Sequence, residues 1–458
     1  MNPPAFREPP LIPRWRALQN LLRFVSNPIP VLDNYTQELG DTFCLYMGGK
    51  EKAIMTSNPH IIQHVLQKNH RNYRKSAIQV DQLAHFIGKG LLTSEGAYWL
   101  QQRRLIQPGF HRNRLAGLVE IMLTEIDLFL DQLSAKADGK QTIDIAQVML
   151  EMAFIIVAKS LFSTGVEKQV LDQLSHNITA IQSYVIRQIR QPYLLPWFKL
   201  TKAKQQHEQL AHRSNRIILD IIHQRRQSQT RPDDLLEMLL DARYEDTGTG
   251  MNDQQLLEES LILFVAGHET SANALAWTWY LLGQHPEVVQ QIREEFNQVL
   301  GDRRPQFSDL PQLAYLQRVI QESMRLFPPA WITDRVPIQT DQVQGFEFPK
   351  DMIVGLYIYG VHHDPKYWPN PHQFDPSRFE KARIKERPAY AYLPFGGGPR
   401  QCIGNNFAMM EIQLILIRML QRFDLSLVPN QDIQLYPMIT LRPKQGIFVT
   451  MKKRSIAR

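Results

Sequence analysis

The chain has 458 residues, 43% apolar and 21% charged, with 29 Pro, 23 Gly and only two Cys. That apolar share is too high for a disordered chain, and Gly and Pro follow no fibrous repeat. Cys44 and Cys402 cannot build a four-thiolate metal site or a disulfide framework, and 52 Lys and Arg against 45 Asp and Glu leave a mild +7.

The length permits a sizeable core and, by size alone, up to about three domains. The N-terminus lacks the basic-then-apolar layout of a signal peptide. The longest apolar runs, such as Met152–Ala158 and Leu261–Ala266, fall short of the ~18–20 residues that cross a bilayer. No membrane span is expected, and the chain reads as soluble and cytoplasmic. Basic residues cluster at Arg103, Arg104, Arg112 and Arg114, again from Arg378 to Arg387, and at the C-terminus. None of these stripes is interleaved with aromatics, so no nucleic-acid partner is expected.

In chain order, an apolar-basic N-terminal helix precedes a hairpin, Thr42–Met47 and Ala53–Ser57, flanking Gly48-Gly49. Helical periodicity dominates from Pro59 to Arg325. Between Glu167 and Arg226 it gives two long amphipathic helices, broken by the apolar, Pro-containing loop Gln191–Phe198. A long helix is predicted from an Asn252 or Asp253 cap to Gly283, roughly 45 Å at 1.5 Å per residue. Short strands follow at Arg335–Gln339, Phe346–Phe348 and Ile353–Tyr359, then a helix from Ile403 to Arg422 and strands over Asp424–Lys452. The fold class is mainly α with small β-sheets, as one unit over residues 1–458.

One segment carries chemistry. Phe395-Gly396-Gly397-Gly398-Pro399-Arg400-Gln401-Cys402-Ile403-Gly404 stands just before a predicted helix. Three glycines suit a backbone that must pass close to a flat object. Cys402 near a helix N-terminus and Arg400 favours a thiolate, either a nucleophile or a single metal ligand. No His or Asn is placed by motif as its base, which weakens the nucleophile reading.

The pattern F-x-x-G-x-R-x-C-x-G resembles the haem-binding loop of the cytochrome P-450 family. The resemblance implies a helix-rich triangular domain enclosing haem b, with the Cys402 thiolate as axial iron ligand and Phe395, Gly396, Arg400 and Gly404 around it. Further family motifs occur in order across most of the chain. Trp99-Leu100-Gln101-Gln102-Arg103 resembles the W-x-x-x-R pair that meets a haem propionate, and Arg335 matches a further propionate-binding Arg. Glu322-Ser323-Met324-Arg325 resembles the E-x-x-R pair, and Phe374-Asp375-Pro376-Ser377-Arg378-Phe379 the loop that supplies its third member, Arg378. Ala266-Gly267-His268-Glu269-Thr270 resembles the oxygen-activation motif, with small Ala266 and Gly267 giving clearance and Glu269 with Thr270 as an acid–alcohol pair. His268 points about 100° away around the helix and reads as structural.

By carry-over, Phe86, Ile87, Leu263, Ala266, Ala330, Trp331 and Met438 are candidates for the substrate pocket, and Gln191–Phe198 resembles a lid or else a packed turn. The implied reaction is monooxygenation: O2 delivers one atom to a hydrophobic substrate and one to water. Because the resemblance fills the chain, electrons are expected from a separate ferredoxin or flavodoxin with an NAD(P)H-dependent reductase. Arg104, Arg112 and Arg114 are placed to steer that acidic partner. Two rivals share the haem: a peroxide-driven peroxygenase or isomerase, and a non-enzymatic gas sensor.

Overall fold

The computed structural model describes residues 6–47, 50–163, 168–191, 197 and 200–454. The apolar-basic N-terminal stretch forms three helices, α1 (Arg14–Gln19), α2 (Leu21–Ser26) and α3 (Pro28–Leu39). Asn27 caps α3 and Pro28 occupies its first turn, where a missing N–H removes no helical bond. β1 (Thr42–Tyr46) and β2 (Lys52–Thr56) pair antiparallel with Cys44, buried, opposite Ile54. The predicted Gly48-Gly49 turn lies outside the described residues, as do most of the Gln191–Phe198 loop and Arg458.

β3 (Tyr73–Arg74), β5 (Thr333–Pro337) and β8 (Ile353–Leu356) complete a five-stranded sheet in the order β1-β2-β8-β5-β3. β2 and β8 run parallel, Ala53 opposite Ile353, so residues near the N-terminus are sewn to the stretch that follows Arg325. Both of the later strands end short of the sequence reading. β5 ends at Pro337, which has no N–H to extend the ladder. β8 ends at Leu356 because its partner β2 ends at Thr56, and Ile358–His362 turns into a short helix.

The helical body comprises α4 (Gly96–Ile106), α5 (Arg112–Leu133), α6 (Ile145–Phe162), α7 (Lys168–Arg190) and α8 (Ala203–Gln227). It continues with α9 (Asp253–Gln284), α10 (Ala314–Leu326) and α11 (Asn405–Arg422). α9 has 32 residues and so runs about 48 Å. Asn252 and Gln255 close a reciprocal capping box at its start, as the Asn252 signal predicted. Around it pack α6, α8, α10 and α11, and the largest apolar cluster fills the space between them.

α6 corrects the reading of apolar runs. Glu151 and Lys159 interrupt its sequence, yet its 18 residues have a mean hydropathy of 1.8, enough by length and composition to cross a membrane. In the fold 67% of that window is buried, laid along α9 with Phe154 edge-on to Phe264. Smaller sheets finish the architecture. β4 (Asp138–Asp144), a polar strand with no sequence signal, pairs with β12 (Phe448–Lys453), which also pairs with β9 (Phe423–Leu427). β6 (Asp341–Val343) with β7 (Phe346–Phe348), and β10 (Leu435–Pro437) with β11 (Leu441–Pro443), form two-stranded hairpins.

The α9–α11 contact buries one carboxyl. Glu411 of α11 is fully buried beside Ser271, and burial pushes its carboxyl up to about 8. A carboxyl raised in the folded state contributes most below its ordinary pKa of 4.5 and loses that contribution as pH rises through the folded value. Replacing Glu411→Gln is therefore expected to stabilise the protein by about 2–3 kcal/mol more at pH 9 than at pH 6. Denaturant unfolding at the two pH values measures this; an equal effect at both would show that Glu411 does not stay protonated in the fold.

Candidate functional site

The glycine-rich loop is shaped by what it touches. Gly396 and Gly398 have φ of 69° and 65°, the left-handed region that suits glycine. A Cβ on Gly398 would lie 1.9 Å from the Leu66 carbonyl oxygen, so the loop backbone presses onto the preceding layer. The Cys402 N–H donates to the Phe395 carbonyl at 2.9 Å and folds the loop back on itself. The Cys402 side chain is exposed towards a cavity of about 380 Å³ that Phe395, Gly396 and Gly404 also line. α11 starts three residues later, at Asn405, so the thiol is ahead of the helix rather than in its first turn. Burial pushes the Cys402 thiol up, opposed by the Gly404 N–H and the Arg103 charge. A bound metal ion would overcome this and deprotonate the thiol outright.

Across the cavity runs one stripe of α9: Leu263, Ala266, Gly267, Thr270, Ser271 and Ala274. These positions share a helical face by the three- and four-residue spacing. A Cβ on Gly267 would meet Val157 of α6 at 3.3 Å, so this glycine serves the helix contact as well as cavity clearance. Thr270, half-buried, lines the cavity, and its Oγ1 donates to the Ala266 carbonyl at 2.7 Å. Glu269, one residue earlier, does not line it. Its carboxylate is buried against β11, paired with Arg442 at 2.7 Å and accepting the Thr440 hydroxyl. A 100° step per residue separates the two side chains, so the predicted acid–alcohol pair is not brought to one space. His268 bonds through Nδ1 to the Phe264 carbonyl at 2.9 Å and is buried against Phe154, the structural placement expected.

The rim gathers positive charge. Arg400 lies 4.0 Å above the Trp99 ring and pairs with Glu95 at 2.6 Å. Arg103 donates to the Gln401 carbonyl at 2.8 Å. Burial and the Arg400 charge push the Arg335 guanidinium down to about 10. Lys75, which no motif singled out, is pushed down to about 7 by burial and by Arg400 and Arg335. Among the described residues lining the cavity these four are cations and none is a carboxylate. A sulfur donor on one wall, apolar side chains on the other and cations at the edge, with no carboxylate in the lining, fit a flat, doubly anionic, thiolate-ligated group such as haem.

Behind the cavity, Arg325 and Glu322 form a two-pronged pair, both contacts 2.7 Å, with no exposed surface. Arg378 Nε stands 3.3 Å from the same carboxylate, and the Asp375 N–H donates to it at 3.0 Å. Arg325 also donates to the carbonyls of His362, Pro371 and Gln373. The three predicted members are therefore together, and burial raises Glu322 against the pull of Arg325.

Of the pocket candidates, Leu263, Ala266 and Ala330 line the cavity. Phe86 and Ile87 do not: they are core residues, Phe86 edge-on to Tyr184 of α7. Trp331 and Met438 also lie outside the lining, because the buried indole N–H needs an acceptor and finds the Met438 carbonyl at 2.9 Å. Leu91, Leu92, Leu161 and Phe407, none of them in a motif, supply apolar wall instead.

Residues 9–451 match the family model described as Cytochrome P450, which spans nearly the whole chain.
The chain belongs to the cytochrome P-450 family.
It is 34% identical to cyclooctatin synthase of Streptomyces melanosporofaciens over 86% of this chain and 85% of that one. It is 31% identical to cyclooctat-9-en-7-ol 5-monooxygenase of the same organism, over 84% and 83%. Among solved structures, a cytochrome P-450 heme domain superposes with a TM-score of 0.87 at 23% identity, covering 98% of this chain and 99% of that one. A retinoic acid-bound cyanobacterial structure gives 0.82 at 26%, covering 98% and 100%. This P-450 is a monooxygenase-type oxidoreductase that uses haem with a cysteine thiolate.

Removing Glu322 would strand Arg325 as a buried cation. Glu322→Ala is expected to cost about 3–5 kcal/mol in unfolding experiments. A loss under about 1 kcal/mol, typical of surface pairs, would show that the pair is dispensable.

Proposed function

We infer that this P-450, one domain over residues 1–458, inserts one oxygen atom from O2 into a hydrophobic small organic substrate. Cys402 would ligate haem b, with Trp99, Arg103, Arg335 and Arg400 at its propionates and the Glu322–Arg325–Arg378 set holding the surrounding turns. Bound haem with a thiolate ligand supplies the oxygen chemistry. The observation that carries the reading is Thr270: its hydroxyl opens on the cavity that Cys402 faces from the other wall. Released from the Ala266 carbonyl, Oγ1 can donate a proton into the cavity while Leu263, Leu91 and Leu92 keep the wall apolar. That wall supports a carbon-rich substrate, in keeping with a relative named for cyclooctat-9-en-7-ol and a similar structure with retinoic acid bound. Burial of α6 in the core supports reading it as a core helix rather than a membrane span, consistent with a soluble enzyme.

Electrons would come from a ferredoxin or flavodoxin served by an NAD(P)H-dependent reductase. Arg104, Arg112 and Arg114 are exposed, and Arg114 stands 3.7 Å from Asp233. Arg104 and Arg114 share a second cavity with Asp233, Asp241, Glu245 and Asp246, so the local field is mixed rather than purely basic. Reversing the three arginines to Glu is expected to slow reduction about tenfold at low salt, with the difference shrinking at high salt. Stopped-flow reduction measures it; a salt-independent rate would reject this docking face.

The turn of Glu269 towards Arg442 favours a second reading, peroxide-driven oxidation, in which proton delivery from Glu269 is not needed. Turnover with O2 and a ferredoxin system is compared with turnover on peroxide alone. Thr270→Ala is expected to lower product per electron about tenfold or more in the first and to leave the second nearly unchanged. Equal coupling in wild type and Thr270→Ala would remove Thr270 from the reaction.

A further inference from the structure

Two buried charged side chains outside every motif hold one loop. Lys75 is 5% exposed and Glu259 is fully buried. Lys75 Nζ donates to the carbonyls of Leu91 at 3.1 Å, Leu92 at 2.6 Å and Ser94 at 3.1 Å. From the opposite side, Glu259 Oε2 of α9 accepts the Leu91 N–H at 3.1 Å. Leu91 is thus gripped by an acidic side chain through its N–H and by a basic one through its C=O.

The loop is built for this approach. A Cβ on Gly90 would lie 2.7 Å from Glu259 Oε2 and 2.8 Å from Ile262 Cδ1. Gly88, at φ 84°, leaves its own space to Glu258, whose Cγ would be 2.4 Å from an added Cβ. Thr93 ties the loop internally, donating to the Gly88 carbonyl at 2.6 Å and accepting the Gly90 N–H at 3.1 Å. Lys75 is anchored in turn, since its backbone N–H donates to Glu95, which pairs with Arg400 at the rim. Burial drives the Glu259 carboxyl up to about 7, so the site is costly to keep charged. Its position in the fold is explained by the loop it holds.

We propose that Lys75 and Glu259 clasp the 88–94 loop by its backbone, and that Glu259 is a positioning residue that sets how far Leu91 and Leu92 stand into the cavity. Glu259 is not among the residues lining the cavity; Leu91 and Leu92 are. Because the grip is on backbone atoms, the side chains at 91 and 92 contribute wall without being needed for it. A loosened clasp widens the wall and admits bulkier ligands. That effect on ligand size rests on the cavity being the substrate site, whereas the clasp itself does not.

Amide hydrogen exchange by mass spectrometry on the haem-loaded full chain tests the clasp. Glu259→Met removes the acceptor, Glu259→Gln keeps one, and Gly90→Ala pushes the loop off α9. Exchange across residues 88–94 is expected to rise about tenfold or more in Glu259→Met and Gly90→Ala, with the β9–β12 peptides unchanged and Glu259→Gln near wild type. Unchanged exchange in the loop, or an equal rise everywhere, overturns the clasp. If Glu259→Met does not fold, Gly90→Ala decides by the same reading. Imidazole and 4-phenylimidazole titrations then test the size effect. A several-fold shift in affinity ratio towards the larger ligand is expected in Gly90→Ala, and an unchanged ratio overturns the role in cavity size while leaving the clasp.

Discussion

The arginine at the end of α10 is the fixed point from which the thiol loop is hung. Arg325 is paired with Glu322 and hydrogen-bonded to the His362 carbonyl, all without solvent. Burial and the Arg325 charge push the His362 ring down to about 3, so it is neutral and its Nε2 accepts the Leu393 N–H at 3.0 Å. The Leu393 carbonyl accepts from Gly396, and the Phe395 carbonyl accepts from Cys402. A chain of hydrogen bonds therefore runs from a buried guanidinium to the residue that presents sulfur to the cavity. A guanidinium suits the first position because its fork of donors serves a carboxylate and several carbonyls at once.

α9 imposes the second constraint. A helix that crosses the whole body must show each of its residues to a different neighbour, and a 100° step decides which. Thr270 reaches the cavity, Glu269 the β10–β11 hairpin and His268 the Phe154 side of α6. Glu259, nearly two turns before Ala266, meets the 88–94 loop instead. One helix thus supplies the cavity wall, a buried ion pair, a packing contact and a loop anchor.

The parts legible in sequence were those whose partners are close along the chain or whose residue types are costly elsewhere. The Cys402 loop, Glu322 with Arg325, Trp99 with Arg103 and the capped start of α9 are of this kind. What stayed hidden depends on contacts between distant segments. Nothing near Lys75 announces that it will meet Leu91, Leu92 and the rim, and nothing near Glu269 announces Arg442, 173 residues away. Phe86 and Trp331 are apolar residues near motifs, but proximity in sequence does not say which way a side chain turns. The polar strand β4 has no alternating pattern because both its faces are largely wet, and only β12 reveals it.

α6 has a consequence for how the protein is made. A segment apolar enough to partition into a bilayer is satisfied in the finished fold by α9, whose first residue follows the end of α6 by about 90 residues. At ribosomal rates of roughly 5–20 residues per second, those residues take about 5–20 seconds to appear. For that interval the nascent chain carries a greasy helix with the earlier α5 to cover it but its main partner missing. Chaperone occupancy, rather than the strength of the native contacts, would then govern how much of the newly synthesised chain escapes aggregation.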